Sequence, residues 1–480
     1  MKWLHLLRGF RSAFAPEGAG KIDSVAFGLL ILFAATAPFF YGGHSGHLRR
    51  SFGDTGGLPA GDLALEAFAF GIAGAVFLSG FHGRPLGPVG MPIGMIAAIA
   101  LLGFVQLLPI PEPLLRQICP VNLTIYHETA EILRLFGRLP PAPRISIAPA
   151  ETFGTVLLLL AYAALFLSSA ILLRTRIRRR LFVITLLLSG VFQILVAAIR
   201  EASSERVQGT FASPNNFAGY LGVLLALAFG ALWAEVLTNS ERAEALTDPA
   251  QRLEKRLRPL VARVLLMGVF AIGIGLTRSR GGILAASVTT LLLLTMAVLR
   301  ERGPARRRTV LAAAAVLAGI LIAAATLRGA AFRRFLSIDL REIRSETRFA
   351  LWETSLAAWR EFPVFGSGLG TFREAFRRVQ PRKMQGLIEQ AHSDLLQLLV
   401  TGGAVGAFLG VAAAISFGVI LIRFWLRQRH REESALVLAG FGALLCLVTH
   451  GFVDYNLSIP PITATLACVL GAAWAAGRQK

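Results

Sequence analysis

The length of the apolar runs constrains this chain more than any other feature. They recur at roughly 18 to 25 residues with few or no charges, the length of α-helix that crosses a hydrocarbon core. A soluble chain of 480 residues would divide into domains of roughly 150 residues joined by polar linkers. It would not carry 55% hydrophobic and 16% charged residues at a mean hydropathy of +0.62. The same composition excludes collagen, coiled coil and disorder. About twelve transmembrane helices are expected, near 23–41, 63–81, 88–109, 153–173, 181–199, 216–237, 260–277, 281–299, 309–327, 394–422, 434–451 and 457–476. No segment reads as a strand, so the expected fold class is an all-α integral membrane protein.

The 49 Lys and Arg against 28 Asp and Glu give a formal charge of +21, which in a soluble chain would point to nucleic acid. Here most of the basic residues sit in short loops between apolar runs, where they set topology, so no nucleic-acid partner is expected. Arg174 and the 176–180 cluster follow the fourth span, Arg242 to Arg258 the sixth, Arg300 to Arg308 the eighth and Arg423 to Arg431 the tenth. These alternate loops are cytoplasmic under the positive-inside rule, and both termini are expected on that side. Arg8 and Arg11 interrupt the first apolar residues, so residues 1–22 read as a cytoplasmic interfacial helix with Trp3, Leu7 and Phe14 near one face, not as a signal peptide. Cys119, Cys446 and Cys468 form neither a disulfide framework nor a metal pattern.

The opposite face holds the two longest connections, 110–152 and 328–393. Loops this long are commonly functional. The second is expected to be a helical subdomain with a core drawn from Phe349, Trp352, Trp359, Phe362, Phe365, Phe372 and Phe376. Its segment 346–362 has helical spacing at Phe349, Trp352, Leu356 and Trp359 and stops at Pro363 before a Gly-rich turn. The domain division is therefore 1–22, spans 23–327, loop subdomain 328–393 and spans 394–480.

Positive charge in a short outer turn runs against the insertion rule. Arg278 and Arg280 occupy a hairpin of a few residues, and Arg200 and Arg206 border the turn at Pro214 and Asn215. Two accounts fit: snorkelling to lipid headgroups, or recruitment of an anionic ligand. The long loop carries twelve basic residues against seven acidic ones, an excess that a solvated surface also explains. At Ala391-His392-Ser393-Asp394, Ser393 or Asp394 suits a helix cap. The same residues also put a titratable imidazole beside an orienting carboxylate, as a general base requires. His450 and Asp454 form a weaker second pair.

The chain shows no Walker A loop, HExxH, DxD or His/Cys cluster, and no metal or cofactor is expected. Gly366-Ser367-Gly368-Leu369-Gly370 reads as a turn, because no strand precedes it. A polyanion handled without a metal calls for arginine, whose guanidinium pairs bidentately with phosphate and stays charged.

The ordered segments GTFASPNNFAGYL (209–221), TRSRGGILAA (277–286), ETRFALWETSLAAWREFPVFGSGLGTF (346–372), AHSDLLQLLVTGGAVG (391–406) and HGFVDYNLSIPP (450–461) resemble the O-antigen ligase/polymerase family of bacterial inner-membrane enzymes. The resemblance runs from about residue 105 to the end of the chain. It implies a GT-C-type fold and transfer of a glycan from an undecaprenyl-diphosphate carrier to an acceptor hydroxyl on the periplasmic side. Matched position by position, it implies catalytic roles for Arg206, Arg280 and His392. Arg278, Arg200, Arg348 and Asp394 follow as substrate-binding residues. The implied acceptor is lipid A-core for a ligase, or a second carrier-linked glycan for a polymerase. The chain leans towards ligase, although its HGFVDYNLSIPP ending also resembles exopolysaccharide polymerases. A flippase or transporter is the reading from another class. It fits less well, because the halves show no symmetry and mid-span charge is nearly absent apart from Glu66 and Glu235.

Overall fold

The computed structural model describes residues 20–40, 60–79, 90–201, 204, 206–244, 248–303, 306, 307, 309–311, 314 and 347–479. The expected interfacial helix, most of the ninth span and residues 328–346 lie outside the described residues. Every described element is helical.

Eleven of the expected spans correspond to helices: α1 (Lys21–Phe40), α2 (Ala60–Leu78), α3 (Gly90–Leu107), α6 (Pro149–Leu172), α7 (Arg176–Arg200), α8 (Pro214–Glu244), α9 (Pro249–Leu276), α10 (Arg280–Arg300), α13 (Asp394–Arg427), α14 (Arg431–Gly451) and α15 (Pro460–Gly477). Nine of the described helices are long and apolar enough to cross a membrane, and the apolar part of α3, Ile93–Leu107, is shorter. Four helices fill the long connections: α4 (Glu112–Ile118), α5 (Pro120–Leu135), α11 (Thr347–Glu361) and α12 (Phe372–Val379).

The centre of the bundle is α8 against α14 and α15. A Cβ at Gly230 of α8 would stand 2.7 Å from Ala439 Cβ of α14, and one at Gly440 of α14 would stand 2.5 Å from Ala473 Cβ of α15. Small residues allow backbones this close, which maximises dispersion where lipid provides no hydrophobic drive. Tyr220, Phe217 and Trp233 are buried along α8. On one face, Arg178 pairs with Asp23 at 2.7 Å, Arg179 reaches Glu433 at 3.0 Å and Gln479 at 3.1 Å, and Arg180 pairs with Glu432. This arginine face gathers the start of α1, the start of α7 and the end of α15.

The two long connections share the other face and pack on each other. Gln106 at the end of α3 donates to the carbonyls of Phe365 at 2.7 Å and Thr401 at 3.1 Å, while its oxygen accepts from Leu369 N at 2.8 Å. Gly366, Gly368 and Gly370 have φ of 75°, 117° and 84°, so this segment is a turn that other residues would strain. The loop core differs from the expected one. Leu351, Ala358, Phe362, Phe372 and Phe376 are buried, whereas Phe349 is 44% exposed and Trp352, Trp359 and Phe365 are half-buried. The face of α11 turned to α12 and α13 is the Leu351–Ser355–Ala358 stripe. The two tryptophans sit at its edges, their indoles donating to the carbonyls of His392 and Pro363.

The tenth span is longer than expected and is broken. Gly403 has φ 65° and ψ −165° inside α13. The long loop before α13 closes the break: Ala404 N donates to Pro363 O at 2.9 Å, Val405 N to Val364 O at 3.1 Å and Gly368 N to Thr401 O at 3.0 Å.

Candidate functional site

The Thr277–Gly282 turn is built from its own hydroxyls. Buried Thr277 donates to Ile274 O at 2.6 Å and accepts from Ser279 N at 3.1 Å, and the Ser279 hydroxyl caps α10 by accepting from Gly282 N at 3.2 Å. Arg280 thereby becomes the first residue of α10, at the end of the helix that attracts anions. The two glycines that follow are there for close approach. A Cβ at Gly281 would meet Val453 Cγ2 at 2.7 Å and His450 Cδ2 at 3.1 Å, and one at Gly282 would meet Ala218 Cβ at 2.6 Å.

Arg206 joins this turn across the chain. Its Nε donates to Thr277 O at 3.0 Å and its Nη2 to Asn215 Oδ1 at 3.0 Å, while Val207 N donates to Leu276 O at 3.3 Å. The two cationic outer turns of the sequence are thus one structure, containing Arg206, Arg278 and Arg280. Arg200 is exposed at the end of α7, and no described contact joins it to the group.

The second half of the site converges on Asp454, whose side chain is 2% exposed. His392 Nδ1 lies 3.7 Å from Asp454 Oδ1, longer than a hydrogen bond. Arg348 Nη2 lies 3.6 Å from Asp454 Oδ2, and Arg348 Nη1 donates to Val453 O at 3.2 Å. Tyr455 N donates to Asp454 Oδ1 at 3.0 Å, and the Tyr455 ring meets the His392 imidazole edge-on at 4.8 Å between centroids. Burial pushes the Asp454 carboxyl up, but contact with His392 and the nearby charges of His450 and Arg348 outweigh it and hold the carboxyl below the usual carboxylate range. Burial, reinforced by Asp454, pushes the Tyr455 phenol up to about 12. The 450–454 turn links the halves, since Val453 packs against Gly281 and its carbonyl holds Arg348.

Two pairings expected from the sequence are corrected. The carboxylate facing His392 is Asp454, not Asp394. Asp394 turns away and accepts from Leu457 N at 3.1 Å through Oδ2, because Ser393 already caps α13. His450 and Asp454 are not hydrogen-bonded to each other: among the described residues, both His450 ring nitrogens are without a hydrogen-bond partner beneath the start of α10. Neither Asn216 nor Asn456, buried at 1% and 0% exposure and joined at 3.5 Å, stood out in the sequence, although both lie in its quoted segments.

Beside Asp394 opens a cavity of about 360 Å³. Asp62, Glu151, Glu389 and Asp394 line it together with Gln390 and Gln397. Asp394 Oδ1 has no protein partner there.

Residues 264–411 match the family model described as O-antigen ligase (Wzy_C). This stretch is similar to an O-antigen ligase domain. Arg278, Arg280, Arg348, His392 and Asp394 lie within the matched stretch, whereas Arg206 and Asp454 reach the site from outside it. The match supports ligase- or polymerase-type work on glycans, and the nine long apolar helices among the described residues make the chain an all-α membrane protein. No curated protein matches the chain in sequence.

Proposed function

We propose that this protein transfers a glycan from an undecaprenyl-diphosphate carrier to an acceptor hydroxyl at the periplasmic membrane face of the inner membrane, as an O-antigen ligase acting on lipid A-core. The observation that carries the reading is the meeting, at the 450–454 turn, of a cationic helix start bearing Arg280 with an imidazole held by a buried carboxylate.

Arg206, Arg278 and Arg280 bind the diphosphate, aided by the dipole of α10 in a medium of low dielectric. His392 accepts the proton of the attacking hydroxyl as the new bond from that oxygen to the anomeric carbon forms. The bond from the anomeric carbon to the diphosphate oxygen breaks in the same step, and undecaprenyl diphosphate leaves with its negative charge on the arginines. Asp454 stays ionised and favours the imidazolium that forms. Arg348 and Tyr455 fix Asp454 and the ring. The acid-lined cavity beside Asp394 repels phosphate and suits the hydroxyls of the acceptor sugar, so donor and acceptor approach His392 from different sides.

Purified protein in liposomes, supplied with a carrier-linked glycan and lipid A-core, should release undecaprenyl diphosphate and form glycosylated lipid A-core, and His392→Ala should abolish both. Longer carrier-linked chains with no product on lipid A-core would establish a polymerase instead. No product from several donors would overturn catalysis.

A further inference from the structure

We propose that the arginine face holds a glycerophospholipid with a zwitterionic, phosphoethanolamine-type headgroup in the cleft between α7, α8 and α14. The cleft has a volume of about 300 Å³ and lies at the opposite ends of these helices from the candidate site. α7 starts there at Arg176 and ends at Arg200, and α14 starts there at Arg431 and ends beside His450.

The depth of the cleft is apolar, formed by Val183 and Leu187 of α7, Leu227 and Ala231 of α8, and Leu436 and Ala439 of α14. An acyl chain fits such a slot at no cost in polar desolvation. The rim carries both signs of charge, Arg176, Arg179, Arg180 and Arg263 against Glu235, Glu432 and Glu433. Much of this charge is matched within the protein. Arg180 pairs with Glu432, and Arg176 at 2.6 Å and Arg179 at 3.0 Å share Glu433 Oε1.

Two buried atoms of opposite character remain. Among the described residues, Glu433 Oε2 has no hydrogen-bond partner although the side chain is 1% exposed, and Arg263 Nε has none either. A buried polar atom left without a partner is costly, and more so when its group is charged. A purely anionic headgroup would satisfy Arg263 but would crowd negative charge against Glu433 and Glu235. A lone amine would do the reverse. A phosphoethanolamine group presents a phosphate and an ammonium on one short tether, matching both orphaned atoms at once. Its acyl chain occupies the slot, which commits the site to a lipid over a free metabolite. The lipid would fill the gap between α7 and the α8–α14 pair, bracing the bundle at the end remote from the chemistry.

The test is native mass spectrometry and thermal unfolding of the purified full chain, with phosphatidylethanolamine and phosphatidylglycerol supplied at equal concentration. Preferential retention of phosphatidylethanolamine by the parent, with a raised Tm, is expected. Arg263→Gln, which removes the cationic atom, and Ala231→Leu, which fills the slot, should each reduce retention at least tenfold while leaving glycan transfer unchanged. Equal retention of the two lipids by the parent would overturn the zwitterionic assignment. Undiminished retention in both variants would overturn the site. Binding of free phosphoethanolamine as tight as that of the lipid would overturn the role of the acyl slot. Glycan transfer is read separately, so loss of lipid preference and failure of the ligase reading are distinguishable.

Discussion

Arg278 at φ 51° and His392 at φ 49° are the described non-glycine residues with a left-handed backbone, and both lie in the candidate site. Such conformations cost on the order of 1 to 3 kcal/mol and persist where the surroundings impose them, commonly at functional positions. Each precedes a capping serine, Ser279 or Ser393, and Arg278 also follows buried Thr277, so the turns that present the charges are fixed by hydroxyls rather than by the charges themselves. Arg280→Ala should lower the transfer rate roughly 10² to 10³-fold, as loss of a preorganised charge stabiliser does, and Arg280→Lys should restore only part of it, since a point charge lacks the bidentate fork. Single-turnover kinetics with a fixed donor would show both. Asp454 gives a prediction in pH. Its carboxyl is held below the usual range, so its stabilising contribution is complete above the usual carboxylate range and is lost as pH falls below it. Asp454→Asn should therefore lower Tm at neutral pH and flatten the acid limb of the Tm profile. A profile parallel to the parent's would show that the carboxylate is not stabilised by His392 and Arg348.

Among the elements, α13 shows how a span and a loop become one unit. Its break at Gly403 frees backbone groups that are costly to leave unpaired, and residues 363–368 of the long loop supply the partners. A Cβ at Gly403 would run into Val364 O on a backbone already at φ 65°. Gly403→Ala should therefore destabilise by roughly 3 kcal/mol or more and loosen the loop to protease. Gly402→Ala, whose added Cβ would meet only side chains at 3.4 Å or more, should be tolerated. Thermal unfolding of the two variants side by side separates strain at the break from a general cost of adding a methyl group. The sequence placed α11 correctly up to its stop before Pro363, yet the aromatic spacing named the wrong face. Periodicity locates a helix, but small residues such as Ser355 and Ala358 decide which side can approach a neighbour.

At the scale of the whole molecule, the ion pairs of the arginine face tie α1, α7, α14 and α15 at one end, and the candidate site is assembled at the other. Cysteine introduced at exposed Leu387 should be labelled by an impermeant reagent in intact cells, whereas cysteine at exposed Arg429 should require permeabilisation; labelling of both would refute the assigned topology. The sequence by itself determined that the chain is helical and membrane-embedded, where along it the cations lie and which ordered segments resemble the O-antigen ligase/polymerase family. Those properties are local, set by the length of apolar runs, by loop charge and by spacing along the chain. Tertiary structure alone decided that Arg206 clasps the turn bearing Arg280, that Asp454 and not Asp394 faces His392, and that a span breaks where a loop can mend it. These pairings join segments far apart in sequence, and they depend on how closely helices approach at positions such as Gly281 and Gly282. Hydrophobicity encodes that a helix is buried, not which neighbour it meets.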